Sequence, residues 1–592
     1  MLALAGNTGE GTLTAMSRHQ HRDKHQAIGR AGARRSWGTA DGLILGLALC
    51  LFLVLACRQL ELPGLHYDEA KEAGNNAVQL LLGLPVQPFR GASVRLLGLD
   101  LPLMVQDYIG ALNVYLSIPF LALLGVNVPA LRLMPVLAAG ATLVLLYALA
   151  REAFDRTAAA VAVLLLAVSP TFVFWSRQGI FVTNLTGVVA VASALTALRW
   201  SRSRLPGNLY LTALLWGLGI YAKLLFIWVI GAAIAVWIVG QVVGLYLDRD
   251  DPLQNGLLRD SRSFASQVWA RLPRLRELPL TVGCFIVPLT PMLLFNLRTG
   301  GTLTSVLSNA GSSYYGVSNA DFGANVLRRL GQVLALLRGD HLWYLGGRFA
   351  NPAAPWIAGG LVVALLIGMG VSWRRRAGIR ASIAALTPLA FCIFLVMFSS
   401  FTVSDLFITH YAILLPFIFL GAGAMASHLV SSGGLPVLVP VLVALLCWGV
   451  WDLSVTDQYH GSLTATGGHA AHSDAIYDLA DHLDSGEYRT PVVLDWGIEA
   501  PIYFLTAGRV RPVEVFGYER LDGPNASFDE HLRSALQDPL SSYLFHVPED
   551  TVFGGRRERF DELVAEAGLV PRIEAVFHER SGRMLFVLTR TE

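Results

Sequence analysis

Two adjacent carboxylates, Asp68 and Glu69, stand in Leu65-His66-Tyr67-Asp68-Glu69-Ala70, just beyond a long apolar run. In an open loop they would be solvated and inert. Glu72 one turn later and a helix-forming context predict a short helix instead, with Asp68 at its N-terminus, where a carboxylate caps the helix or acts as a base. Cations recur at the ends of other apolar runs: Arg177 in Phe174-Trp175-Ser176-Arg177-Gln178, Lys223 in Gly217-Leu218-Gly219-Ile220-Tyr221-Ala222-Lys223, and Arg132 at the start of a third. An arginine at a helix end often only snorkels to lipid headgroups, but its planar fork also suits phosphate. Lys223 is the sharper signal, because it lies between two apolar runs joined by almost no loop. Asp405 and His410 occupy another tight turn, where His410 reads first as a structural or lipid-facing residue. His66, Tyr67, Asp107, Tyr314 and Tyr315 complete the candidate substrate contacts.

One carboxylate facing several cations suits sugar transfer from a lipid-phosphate donor. The carboxylate takes the acceptor's proton, and the cations stabilise the phosphate leaving an oxocarbenium-like carbon. A single base with no second, nucleophilic carboxylate predicts inversion at that carbon.

The elements that position these residues belong in a membrane. Of 592 residues, 54% are hydrophobic and 15% charged, against about 25% charged in soluble domains. The net charge of +2 is too small to point to nucleic acid. All five cysteines lie inside apolar runs, which indicates neither disulfides nor a metal cluster. Residues 1–40 read as a disordered basic tail. Apolar runs occur near 42–59, 105–125, 130–150, 158–175, 180–199, 208–223, 224–247, 280–298, 354–372, 382–400, 408–427 and 435–452.

If all twelve cross, the basic segments at Arg151 and Arg156, at 259–276 and at Arg374 to Arg380 fall on the outer side, against the positive-inside rule. Laying 105–125 along the outer surface as an interfacial helix repairs all three, since that run carries Asp107, Asn113 and Pro119. Eleven spans then remain, with the N-terminus cytoplasmic. The outer loops are 60–129 and 299–353, in a transmembrane domain of 41–453 within the plasma membrane.

From about residue 470 the pattern changes. Strands are expected at Val492 to Asp495, Val513 to Phe516, Ser542 to His546, Ile573 to His578 and Leu585 to Leu588, with amphipathic helices at Phe528 to Gln537 and Arg556 to Ala567. The expectation is a small α/β domain over 470–592, extracellular or periplasmic, joined by a linker at 454–469.

The sequence resembles the GT-C superfamily of membrane glycosyltransferases, in particular the branch of protein O-mannosyltransferases and lipid A aminoarabinose transferases. The likeness rests on Tyr67-Asp68-Glu69-Ala70, on Val114-Tyr115-Leu116-Ser117-Ile118-Pro119 leading to Leu131-Arg132-Leu133, on Ser169-Pro170 through Ser176-Arg177, and on Gly219-Ile220-Tyr221-Ala222-Lys223. Their order and spacing agree over about the first 230 residues. The resemblance implies a polyprenyl-phosphate sugar donor, a lipid, glycan or protein acceptor, chemistry on the non-cytoplasmic face, and surface-lying helices in the first outer loop. It assigns Asp68 as the base, with Glu69 in the same site, and puts Arg177, Lys223 and more weakly Arg132 near the carrier phosphate. Metal use varies across the superfamily, so a divalent cation (Mg or Mn) is its candidate cofactor. Many relatives carry Lys-Pro-Pro where this chain has Ile109-Gly110-Ala111, so a phosphate-binding lysine is missing there. Two other classes compete: a lipid-linked sugar flippase, which would carry polar residues along a path in mid-membrane, and a catalytically inactive assembly protein on a GT-C-like body.

Overall fold

The computed structural model describes residues 37–179, 183–249, 272–311, 313, 316–375, 378–401, 407–486 and 488–592. Tyr314, Tyr315, Asp405 and residues 1–36 of the expected tail lie outside them.

Among the described residues, eight helices are long and apolar enough to cross a membrane: Thr39–Cys57, Val128–Ala153, Leu224–Gly244, Leu275–Thr299, Ala353–Val371, Ile379–Ser399, Ile408–Gly433 and Leu435–Thr466. Arg156–Val168 and Pro170–Gln178 meet at 63° and make a ninth if they form one broken span. The bend falls where Ser169 is extended ahead of a proline that cannot donate into the helix. Two more of the eleven expected spans are helices, Thr183–Ser203 and Pro206–Ala222, without matching the others in apolar length. They are joined by a buried hydrogen bond between the hydroxyls of Thr196 and Thr212 at 2.8 Å, one of the ways polar side chains are satisfied between packed helices.

The run at 105–125, expected as one interfacial helix, has mixed structure. Strands β1 (Ser93–Leu96) and β2 (Leu99–Pro102) form a hairpin whose turn puts Leu97 and Gly98 at φ 52° and 82°. Strands β3 (Met104–Gln106) and β4 (Ile109–Gly110) pair antiparallel, and only then does the helix Leu112–Leu124 begin. Its 13 residues reach about 20 Å, short of a core of about 30 Å.

The helix Val128–Ala153 has a charged clamp at each end. Near its start Arg132 pairs with Glu69, and near its finish Arg151 pairs with Asp41 of the first span. The Asp68 segment and the C-terminal domain lie at the Arg132 end.

Leu435–Thr466 is a continuous helix of 32 residues. The stretch expected as a linker at 454–469 is therefore helical up to Thr466, and the chain turns only at Gly467 and Gly468, with φ 71° and 102°. Arg58 pairs with Asp457 at 2.8 Å, the His460 ring bonds the Leu55 carbonyl at 3.0 Å, and Gln59 bonds Thr464, so this helix is fastened to the end of the first span.

Beyond it, β5 (Val492–Val493), β6 (Val513–Glu514), β7 (Ser542–His546), β8 (Pro571–His578) and β9 (Met584–Thr591) form one sheet in the order β6-β5-β7-β9-β8. The first three are parallel, and β9 runs antiparallel to both β7 and β8. Alternating side chains build a core on each face. Val493, Leu544 and Leu588 pack with Leu479, while Leu494, Tyr543 and Phe545 pack with Phe528 and Phe560.

Candidate functional site

The Asp68 turn is built by local hydrogen bonding. His66 caps the helix Tyr67–Glu69: its ring Nδ1 accepts the Asp68 N–H at 3.2 Å, and Glu69 reaches back to the His66 N–H at 3.3 Å. This reciprocal arrangement is a capping box. The chain then widens into a π-turn over Ala70–Gly74, which carries Glu72, and resumes as the helix Asn75–Leu82. Such π-turns recur at functional sites, where the bulge re-aims side chains.

Glu69 and Asp68 have different surroundings. Glu69 accepts both arms of Arg132, Nε at 2.8 Å and Nη2 at 2.9 Å, with both side chains buried. Arg132 also donates to the carbonyls of Leu60, Pro63 and Gly64. Its donors are thereby committed to Glu69 and to the loop leaving the first span, and a phosphate would have to displace them. Asp68 has the His66 ring at 3.6 Å and the charge of Lys223 facing it. Burial pushes the Asp68 carboxyl up to about 7, against the pull of Lys223, and the negative charge of Glu69 adds to the rise.

Lys223 is positioned by main chain. It follows the helix Pro206–Ala222 in extended conformation, forms an antiparallel bridge with Ile109, and is followed by Leu224, whose N–H donates to the Tyr108 carbonyl at 2.9 Å. Gly110 makes this approach feasible, since a Cβ there would come within 2.3 Å of the Tyr221 carbonyl oxygen. The buried ammonium faces Glu72 and Asp68, and Gln106 donates to Glu72 at 3.0 Å. Lys223 and His410, with Thr186, Phe226 and Tyr411, line one cavity.

The remaining sequence candidates are placed elsewhere. Arg177 is fully buried, and its Nη2 donates to the carbonyls of Gln59 and Leu62. It underpins the loop leading to Asp68. Asp107 is held by both arms of Arg90 at 2.7 Å and ties the first loop to Thr302 through its carbonyl. Among the described residues, no group of three or more His, Cys, Asp or Glu could hold a metal ion.

Sequence reasoning missed the contribution of the C-terminal half. Trp496 packs against the rings of His66 and Tyr67, with centroids 5.5 and 4.9 Å apart. The Tyr67 hydroxyl bonds that of Tyr518 at 2.9 Å, and Lys71 pairs with Glu499 at 3.4 Å. Separations above 400 residues leave no local pattern from which these contacts could be read.

The profile of the family described as dolichyl-phosphate-mannose-protein mannosyltransferase matches residues 112–246. No curated protein matches the sequence. Among solved structures, ArnT from Cupriavidus metallidurans in the apo state aligns with 15% identity over 93% of this chain and 98% of its own, with a TM-score of 0.56. The same protein bound to undecaprenyl phosphate aligns with 16% identity over 92% and 97%, with a TM-score of 0.55. The apo oligosaccharyltransferase of Archaeoglobus fulgidus aligns with 13% identity over 87% and 70%, with a TM-score of 0.48. The chain thus has the fold of ArnT: a multi-pass helical membrane body with a small α/β domain at its C-terminus.

Proposed function

We propose that this protein is a membrane glycosyltransferase that moves a sugar from a polyprenyl-phosphate donor to an acceptor hydroxyl on the non-cytoplasmic face. The observation that carries this reading is Asp68 itself: a buried carboxylate at a helix start, with a carboxyl group near 7 and a buried lysine facing it. A base poised near neutral pH loses least to the wrong protonation state. In the reaction Asp68 takes the proton of the acceptor hydroxyl. The acceptor oxygen bonds the anomeric carbon as the bond from that carbon to the phosphate oxygen breaks. The electron pair leaves with the polyprenyl phosphate, and the configuration inverts. Lys223 stabilises the departing phosphate. It stands opposite Ile109, the place where many relatives of this type carry the lysine of Lys-Pro-Pro. Glu69 and Arg132 hold the loop that presents Asp68 and stay out of the chemistry. The profile match and the ArnT fold support the same class of reaction.

The test uses purified full-length protein with undecaprenyl-phosphate-linked mannose, arabinose and aminoarabinose. The wild type releases undecaprenyl phosphate from at least one of them, and Asp68→Asn binds that donor without transferring it. Transfer by Asp68→Asn at the wild-type rate would remove the assignment. The orientation has its own test in intact cells. A cysteine replacing Gly468 should react with an impermeant thiol reagent, and one replacing Pro206 should resist it; the reverse result would invert the topology.

A further inference from the structure

Between β5 and β7 the C-terminal sheet reverses its winding, because β6 lies on one side of β5 and β7 on the other. In α/β sheets the crevice at the carboxyl ends of the strands beside such a switch point is where ligands bind. Here β5 leads into Asp495, Trp496 and Gly497, and β7 ends at His546. Asp495 is spent within the domain. It accepts from His546 Nδ1 at 2.9 Å and from the main-chain N–H groups of Val552 and Phe553. Trp496 extends outward and packs on His66 and Tyr67 of the membrane domain. The edge of the crevice is therefore filled by the residues that precede Asp68.

A second contact converges on the same point. His472, just past the glycine turn, stacks on His66 with ring centroids 4.2 Å apart and on Tyr344 at 4.2 Å. Gln178 donates to His472 Nδ1 at 3.3 Å and accepts from the Tyr344 hydroxyl at 2.7 Å. Burial, with Arg132 nearby, pushes the His66 ring down to about 3, so it is neutral and its Nδ1 is free to accept the Asp68 N–H. The His66 ring is thus clamped between Trp496 at its edge and His472 on its face.

We infer that His472 and Trp496 are positioning residues for transfer: by fixing the His66 ring they hold the first turn of the Asp68 helix, so the C-terminal domain completes the site in the membrane domain. This rests on Asp68 being the base. Neither residue reaches the reacting atoms, and each acts through His66. Losing either one frees the ring to rotate and loosens the cap, which misplaces the carboxylate without removing it. Misplacement of a reacting group by about 1 Å can cost about 10²-fold in rate.

The experiment uses the full-length protein and whichever undecaprenyl-phosphate sugar the wild type consumes, comparing His472→Ala, His472→Phe, Trp496→Ala, Trp496→Phe and Asp68→Asn. Both alanine variants should lose at least tenfold in kcat while the donor KM and the thermal midpoint stay near wild type. The phenylalanine variants keep an aromatic face and should recover most of that loss. Hydrogen exchange over 64–74 should quicken in the alanine variants and not in Asp68→Asn. Wild-type kcat in both alanine variants, with Asp68→Asn inactive, overturns the positioning role and leaves the base assignment standing. Full activity in Asp68→Asn overturns both. A kcat loss in the alanine variants that only follows loss of folded protein also overturns the positioning role.

Discussion

At each end of the helix Val128–Ala153 an acidic side chain is buried beside arginine, and the two ends put the charge to different use. At the Arg151 end one carboxylate does everything. Asp41 accepts from the Tyr147 hydroxyl at 2.7 Å, Arg151 Nε at 3.0 Å, Arg156 Nη2 at 2.9 Å and its own capping N–H at Gly38. At the Arg132 end the work is divided between neighbours. Glu69 satisfies the arginine, and Asp68 next to it is left with a neutral ring and a facing ammonium. A carboxylate saturated with donors keeps both its charge and its place. One held dry with few donors can exchange a proton, provided that another group carries the structural load.

Replacing the two carboxylates one at a time tests that division. Asp68→Asn should lower transfer by about 10²–10⁴-fold, the usual weight of a general base, with no loss in thermal midpoint. Glu69→Gln should do the opposite. It leaves the Arg132 charge buried and uncompensated, at a cost of about 3–5 kcal/mol, measured by thermal or chemical unfolding in detergent. If Glu69→Gln kept full stability and lost transfer, the roles would have to be exchanged.

The pH profile sharpens the contrast. A base that titrates at about 7 must be deprotonated to work, so the wild-type rate should climb with pH toward that value, and fall again as Lys223, which burial lowers to about 7, gives up its proton. Lys223 draws the Asp68 carboxyl downward, so Lys223→Met should move the limb to higher pH, and a shift to lower pH would contradict the geometry. The same group weakens the fold as pH rises from about 4 to about 7, because the native state holds the proton more tightly than an unfolded chain does. The smallest effect belongs to Arg90→Ala. Its ion pair with Asp107 is half exposed on the arginine side and should contribute only about 0–1 kcal/mol to stability.

The spanning helices were legible because lipid demands long apolar runs, and the start of the Asp68 helix because capping is local. The five C-terminal strands and the helices at 526–536 and 556–566 also followed from short-range alternation. The mixed β and helical structure at 104–124 was hidden, since one hydropathy window averages two strands and a helix into a single weak run. Arg132 was legible as a cation but not as the partner of Glu69, 63 residues earlier. His472, Trp496 and Tyr518 carried no periodic signal, because their contacts depend on how a distant domain docks.

The 32-residue helix Leu435–Thr466 makes that docking a matter of phase. It runs unbroken to the glycine turn that opens the C-terminal domain, gripping the first span at Asp457, His460 and Thr464 on the way. An α-helix advances about 1.5 Å and turns about 100° with each residue. One residue inserted beyond Thr464 would leave those grips in place yet swing the domain through more than a quarter of a turn, carrying His472 and Trp496 off the His66 ring. The chain thus measures the position of its soluble half by counting residues along a rod, and a deletion or insertion there reads out as a rotation.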